Sequence, residues 1–146
     1  MIDDFKLTKH LIRFEDKFDN WEDAVRASSS SLLEGEYITK SYVDAMIESV
    51  KKYGPYIIIA PNIAMPHARP EAGALKVGFS VMLVKEPVKF STEIEDQAQI
   101  FVALSCVNAD THLLMMQALI EVIGDEEIVE KILKSTTKEE ILALFN

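Results

Sequence analysis

His67 stands in the stretch IAPNIAMPHARPEAG, residues 59 to 73, among three prolines. A neutral imidazole has one donor and one acceptor nitrogen, and its unperturbed pKa of about 6.5 leaves the acceptor available near neutral pH as a nucleophile. If a backbone carbonyl takes the proton of one nitrogen, the tautomer is fixed and the other nitrogen faces outward. Arg69, two residues on, offers a planar cation suited to a phosphoryl group. His112 lies in NADTHLL, where Asp110 or Thr111 is the expected helix cap, so that it falls in the first turn of a helix. Amide groups and the positive end of the helix dipole gather there and favour an anion. One histidine on a stiff loop and another at a helix N-terminus suit phosphoryl chemistry if the fold brings them together. A single Pro-His pair is common, however, and the loop alone leaves a purely structural role open.

The elements around these residues are readable. Pro61, Pro66 and Pro70 fix their own φ and hold Ala60, Met65 and Arg69 extended. The segment is therefore expected to be neither regular helix nor central strand. Its apolar Ile63, Ala64 and Met65 suggest a loop that packs down beside a sheet and presents His67 at a fixed place. Such stiffness has chemical value, because misplacing a reacting group by about an ångström can cost roughly 100-fold in rate.

Upstream, DNWEDAVRASSSSLLEGE reads as a helix capped by Asp19 or Asn20 and closed near Gly35, with serines 28 to 31 lowering its propensity. TKSYVDAMIESVKKYG reads as a second, with Thr39 or Ser41 as cap, lysines in the last turn, and Gly54 before Pro55. Three segments of strand character follow: YIIIA, VGFSVMLV and AQIFVALSCV. The last two are apolar enough to be central strands covered on both faces. THLLMMQALIEVIG, DEEIVEKILKS and TKEEILALF complete the chain as helices, with Gly124 stopping the first and Thr137 and Glu140 at capping-box spacing in the third. DFKLTKHLIRF is a possible edge strand in which His10 has a solvated or packing role. The order predicts an α/β fold, a single three-layer sandwich with a mixed central β-sheet flanked by helices on both sides, over one domain of residues 1–146.

Composition excludes several classes. The 146 residues are 49% apolar and carry a formal charge of −9, which repels nucleic acid and anionic membrane. No apolar stretch is long enough to span a bilayer, and the charged beginning of the chain lacks the features of a secretory signal. A cytoplasmic protein without direct membrane insertion is expected. The one cysteine, Cys106, sits in a strand-like run and reads as a packing thiol. Met115 and Met116 lie in a strongly apolar helix and read as core. The histidines show no zinc-ligand spacing, and neither GxxxxGK[ST] nor GxSxG occurs, so no metal, nucleotide or other cofactor is expected.

With these residues in view, the chain resembles a type 2 enzyme IIA of the bacterial phosphoenolpyruvate-dependent sugar phosphotransferase system, the group of the mannitol and fructose IIA domains. The similarity runs through YVDAMIESV, IAMPH, VGFSVMLVKEPVKF, AQIFVALSCVNADTHL and GDEEIVEKILKSTTKEEILALF. GPYIIIAPNIAMPHARPEAG resembles the branch specific for L-ascorbate. The resemblance implies that His67 is phosphorylated by the phosphocarrier protein HPr. His67 would then pass the phosphate to a cysteine of a cytoplasmic IIB component serving a membrane IIC permease. It implies for His112 the second active-site position, which stabilises the phosphoryl group without carrying it. One departure is Ser49, which stands where the mannitol branch has an arginine, and Arg69 is the candidate substitute. Mannitol, fructose and pentitol systems remain alternatives to ascorbate. So do a regulatory module reporting phosphorylation state, disfavoured by the lack of a DNA-binding segment, and a hydrolase using both histidines.

Overall fold

A computed structural model describes residues 6–146. Five strands form one sheet: β1 (Ile12–Glu15), β2 (Ile58–Ala60), β3 (Asn62–Ala64), β4 (Gly78–Lys89) and β5 (Gln97–Ser105), in the order β1-β4-β5-β3-β2. Pairing alternates across it: β1 is parallel to β4, β4 antiparallel to β5, β5 parallel to β3, and β3 antiparallel to β2. The sheet is therefore mixed, with the two most apolar strands at its middle. β1 lies at an edge, preceded by a 3-10 turn at Lys9–Leu11 in which His10 is exposed. Asp4 and Phe5, the start of the expected edge strand, lie outside the described residues.

Five helices cover the sheet: α1 (Trp21–Glu34), α2 (Lys40–Tyr53), α3 (Ala109–Ile123), α4 (Glu126–Lys134) and α5 (Lys138–Phe145). Successive residues of a strand face opposite sides, and β4 shows what each side meets. The Ser80 hydroxyl donates to the Ser28 carbonyl of α1 at 2.6 Å, whereas the neighbouring Phe79 ring lies 5.8 Å from the ring of Phe145 in α5. Helices thus lie on both faces, α1 with α2 on one and the C-terminal group on the other.

Local chemistry explains most boundaries. Asn20 caps α1 by accepting from the Asp23 amide, and Asp125 caps α4 by accepting from the Glu127 and Ile128 amides. Thr137 accepts from the Glu140 amide, while the Glu140 carboxylate reaches back one residue further than a capping box requires, to the Thr136 amide. The serines of α1 remain helical because Ser28, Ser29 and Ser30 turn their hydroxyls onto carbonyls of Val25 and Ala27 in the preceding turn.

Two expectations need correction. The proline-rich segment does contain a strand: β3 occupies the space between Pro61 and Pro66 and pairs on both sides, so it lies inside the sheet. Pro61 makes the connection from β2, and Asn62 after it takes φ 70°, a left-handed conformation that asparagine tolerates. Both prolines lie outside the three paired residues and remove no donor from the ladder. The cap of α3 is Asn108, not Asp110 or Thr111. Its side chain accepts from the Thr111 amide, and the Asn108 amide donates to the Thr111 hydroxyl.

The segment after His67 is fastened to the start of α2. A 3-10 turn at Pro70–Ala72 ends at Gly73, whose carbonyl accepts from the Thr39 amide at 3.0 Å. The Ala72 carbonyl accepts from the Ser41 hydroxyl at 2.7 Å. Gly73 has φ 137°, and a β-carbon there would run into Thr39 Oγ1. Gly54, at the end of α2, has φ 86° and ψ −178° with open space around it. Gly54→Ala is expected to cost about 1–3 kcal/mol from backbone strain alone. Gly73→Ala is expected to cost more, because it also breaks the fastening to α2. Urea denaturation of both variants checks the order.

Candidate functional site

β3 and β5 run parallel, so the segments leaving their C-terminal ends emerge on the same edge of the sheet. The first carries His67, three residues past β3; the second passes Cys106 and Val107 to Asn108 and α3. The two histidines meet there, with ring centroids 5.8 Å apart and planes inclined at 51°. They line an open cleft of about 810 Å³ together with Ser49, Tyr56, Arg69 and Asn108.

His67 is held from several directions. Its Nδ1 lies 2.7 Å from the Met65 carbonyl, an acceptor that assigns the proton to Nδ1 and leaves Nε2 without a partner among the described residues. Met65 is fully buried, and its amide donates to the Ile57 carbonyl at 2.8 Å, so the accepting carbonyl cannot drift. Tyr56 meets the imidazole edge to face at 5.8 Å between centroids. Burial lowers the His67 pKa below the ordinary 6.5, the nearby His112 ring lowers it further, and the Met65 hydrogen bond opposes both.

The residues flanking His67 are both tied to Leu104 in β5. The Leu104 amide donates to the Pro66 carbonyl at 3.1 Å. On the other side the Ala68 amide donates to the Tyr42 hydroxyl at 3.1 Å, and that hydroxyl donates to the Leu104 carbonyl at 2.7 Å. Burial in this bridge pushes the Tyr42 pKa up to about 12. Sequence reading gave Tyr42 no such role, since it shares the apolar face of α2 with Val43, Met46 and Val50.

His112 is the fourth residue of α3, and its amide is already used, donating to the Asn108 carbonyl at 3.1 Å. What it offers the cleft is its ring. Arg69 is exposed at the rim, in extended backbone, and makes no ion pair among the described residues. Ser49 also lines the cleft, so a neutral residue stands there where the resemblance placed an arginine. Cys106 is buried, and burial pushes its thiol up to about 11, which makes it a poor nucleophile. Met115 is likewise core.

The family model described as phosphoenolpyruvate-dependent sugar phosphotransferase system, EIIA 2, matches residues 5–146. The chain belongs to this family. It is a phosphotransferase component with a phosphocarrier role. The mannitol-specific cryptic phosphotransferase enzyme IIA component of Escherichia coli strain K12 is 39% identical over 122 residues, 84% of this chain and 82% of that protein. The ascorbate-specific EIIA component of Shigella boydii is 32% identical over 136 residues, 92% of this chain and 88% of that protein. Among solved structures, the complex of enzyme IIAMTL and phosphorylated enzyme IIBMTL from Escherichia coli contains a chain that superimposes with a TM-score of 0.85 at 28% identity, covering 97% of each.

The lowered His67 pKa has a signed consequence. The unfolded chain takes up the proton near pH 6.5, before the folded protein does. The stability contributed by the neutral ring is therefore complete above that value and declines as pH falls towards the folded-state pKa. An NMR titration of the imidazole C–H signals is expected to place the His67 midpoint below 6.5, with stability falling over the same interval.

Proposed function

We propose that this chain is the cytoplasmic phosphocarrier of an L-ascorbate phosphotransferase system, acting as one domain with His67 as the phosphorylated residue. The observation that carries the proposal is the pairing of His67 and His112 across the cleft, with Nδ1 of His67 engaged and no partner for Nε2 among the described residues.

In the proposed reaction phospho-HPr brings its phosphohistidine to the cleft. The Nε2 lone pair forms a new N–P bond as the N–P bond of the donor breaks, and the bonding pair returns to the donor's imidazole. The Nδ1 proton stays on His67. The ring gains positive charge as the bond forms, and the Met65 carbonyl stabilises that charge. In the second step the thiolate of a IIB cysteine attacks the same phosphorus, and His67 leaves as the neutral imidazole it was. The loose phosphoryl group spreads charge over its three oxygens. The His112 ring and the Arg69 guanidinium are the groups at the cleft that would meet them, with Arg69 taking over from the arginine replaced at Ser49. A membrane IIC permease completes the system; among the described residues of this chain no helix is long and apolar enough to cross a membrane.

Ascorbate is favoured by the His-Ala-Arg-Pro-Glu run after Pro66 and by the ascorbate-specific relative, which aligns over 92% of the chain. A mannitol system is the second reading, supported by the cryptic mannitol relative at 39% identity.

Incubation with phosphoenolpyruvate, enzyme I and HPr should add one acid-labile phosphate, read by intact-mass spectrometry, and His67→Ala should abolish it. His112→Ala should still be phosphorylated, slower by about 10²- to 10³-fold, the usual cost of losing one stabilising donor. Arg69→Gln should be slower by about 10- to 100-fold, as for one lost charged hydrogen bond. No gain of phosphate on the native chain contradicts the proposal. Phosphate passed to a mannitol IIB in preference to an ascorbate IIB selects the second reading.

A further inference from the structure

Both backbone groups of Leu104 are engaged with the residues that flank His67. One contact is direct, from its amide to the Pro66 carbonyl. The other passes through a buried hydroxyl, from the Ala68 amide to Tyr42 and from Tyr42 to the Leu104 carbonyl. Leu104 is also four residues before Asn108, which caps the helix that carries His112. We infer that Tyr42 is a positioning residue for phosphoryl transfer: its hydroxyl sets the orientation of His67 relative to His112 by fixing Ala68 to the strand that leads into α3. The inference rests on the proposed transfer at His67 and adds a residue that never touches the phosphoryl group.

Geometry separates this role from ordinary core packing. The Tyr42 ring is buried among apolar neighbours on α2, where phenylalanine would fill the same space. The hydroxyl alone reaches the loop. Without it the Ala68 amide and the Leu104 carbonyl lose their shared partner, while the direct bond to Pro66 remains. On that side the nearest remaining fastening would be that of Ala72 and Gly73 to the start of α2, several residues away, and the ring would be freer to tilt about the Pro66 contact. A tilt of this kind disturbs the in-line approach of the phosphorus and the Met65 contact that fixes the tautomer. It leaves the outer surface that meets a carrier protein unaltered.

The expected signature is a loss in rate without a loss in binding. With phospho-HPr as donor, Tyr42→Phe should lower the maximal rate of His67 phosphorylation by about 10- to 100-fold, the order expected for a small misplacement of a reacting group, with KM unchanged. Met46→Ala supplies the control, because it removes a buried side chain from the same helix without touching the hydroxyl; well below its unfolding temperature it should keep the native rate. In the unphosphorylated protein, the ring nitrogens of His67 should show one tautomer by ¹⁵N NMR in the native chain and a mixture in Tyr42→Phe. In the native chain the Ala68 amide should also be protected from hydrogen exchange. A native rate in Tyr42→Phe, an equal loss in Met46→Ala, or free exchange at Ala68 overturns the inference. If the native chain accepts no phosphate, the transfer proposal fails, and the tautomer and exchange measurements still decide whether Tyr42 orients the ring.

Discussion

The Met65 carbonyl accepts the Nδ1 proton of His67 at 2.7 Å, and the surrounding fold keeps that carbonyl in place. A free imidazole exchanges its proton between two nitrogens and rotates about two side-chain torsions. Here one acceptor restricts both freedoms, and burial lowers the ring's pKa, which favours the neutral form. The acceptor is effective because it is itself immobile: Met65 is fully buried, bonded through its amide to Ile57 and followed by a proline that restricts its backbone.

This local constraint depends on the sheet. β3 has only three residues, but it pairs with β2 on one side and β5 on the other, so the loop leaves the sheet from a fixed point. β5 is antiparallel to β4 along nearly its whole length and pairs with β3 on its other side, so it is held from both edges. Because the His67 loop is bonded to Leu104 of β5, and α3 follows β5 after a short connection, both histidines are referred to the same strand. Their separation of 5.8 Å thus reflects the end of one β-strand more than any direct contact between them.

The sequence already made the helices legible, since each carries its own punctuation. Asn20, Gly35, Gly54 and Thr137 act within a few residues of their positions, and local signals of that kind do not need the fold to be read. The central strands were legible for the same reason, as uninterrupted apolar runs. β3 was not, because prolines on both sides argue against a strand, and three residues give no period; only pairing with distant β5 shows it. The α3 cap was misplaced because NADT offers three capping residue types within four positions, and only geometry selects Asn108. At the site, His67, His112, Arg69 and Ser49 all line one cleft. The Tyr42 bridge was hidden because its partners lie 26 and 62 residues away and both are backbone groups, which no residue type announces.

The most direct test of the account is the identity of the ring nitrogen that carries phosphate. Phosphorylation of ¹⁵N-histidine-labelled protein by phospho-HPr, followed by NMR of the phosphorus–nitrogen coupling under alkaline conditions, reads it without reference to rate. A tautomer fixed by the Met65 carbonyl predicts phosphate on Nε2 of His67 alone. Phosphate on Nδ1, or on His112, would contradict it.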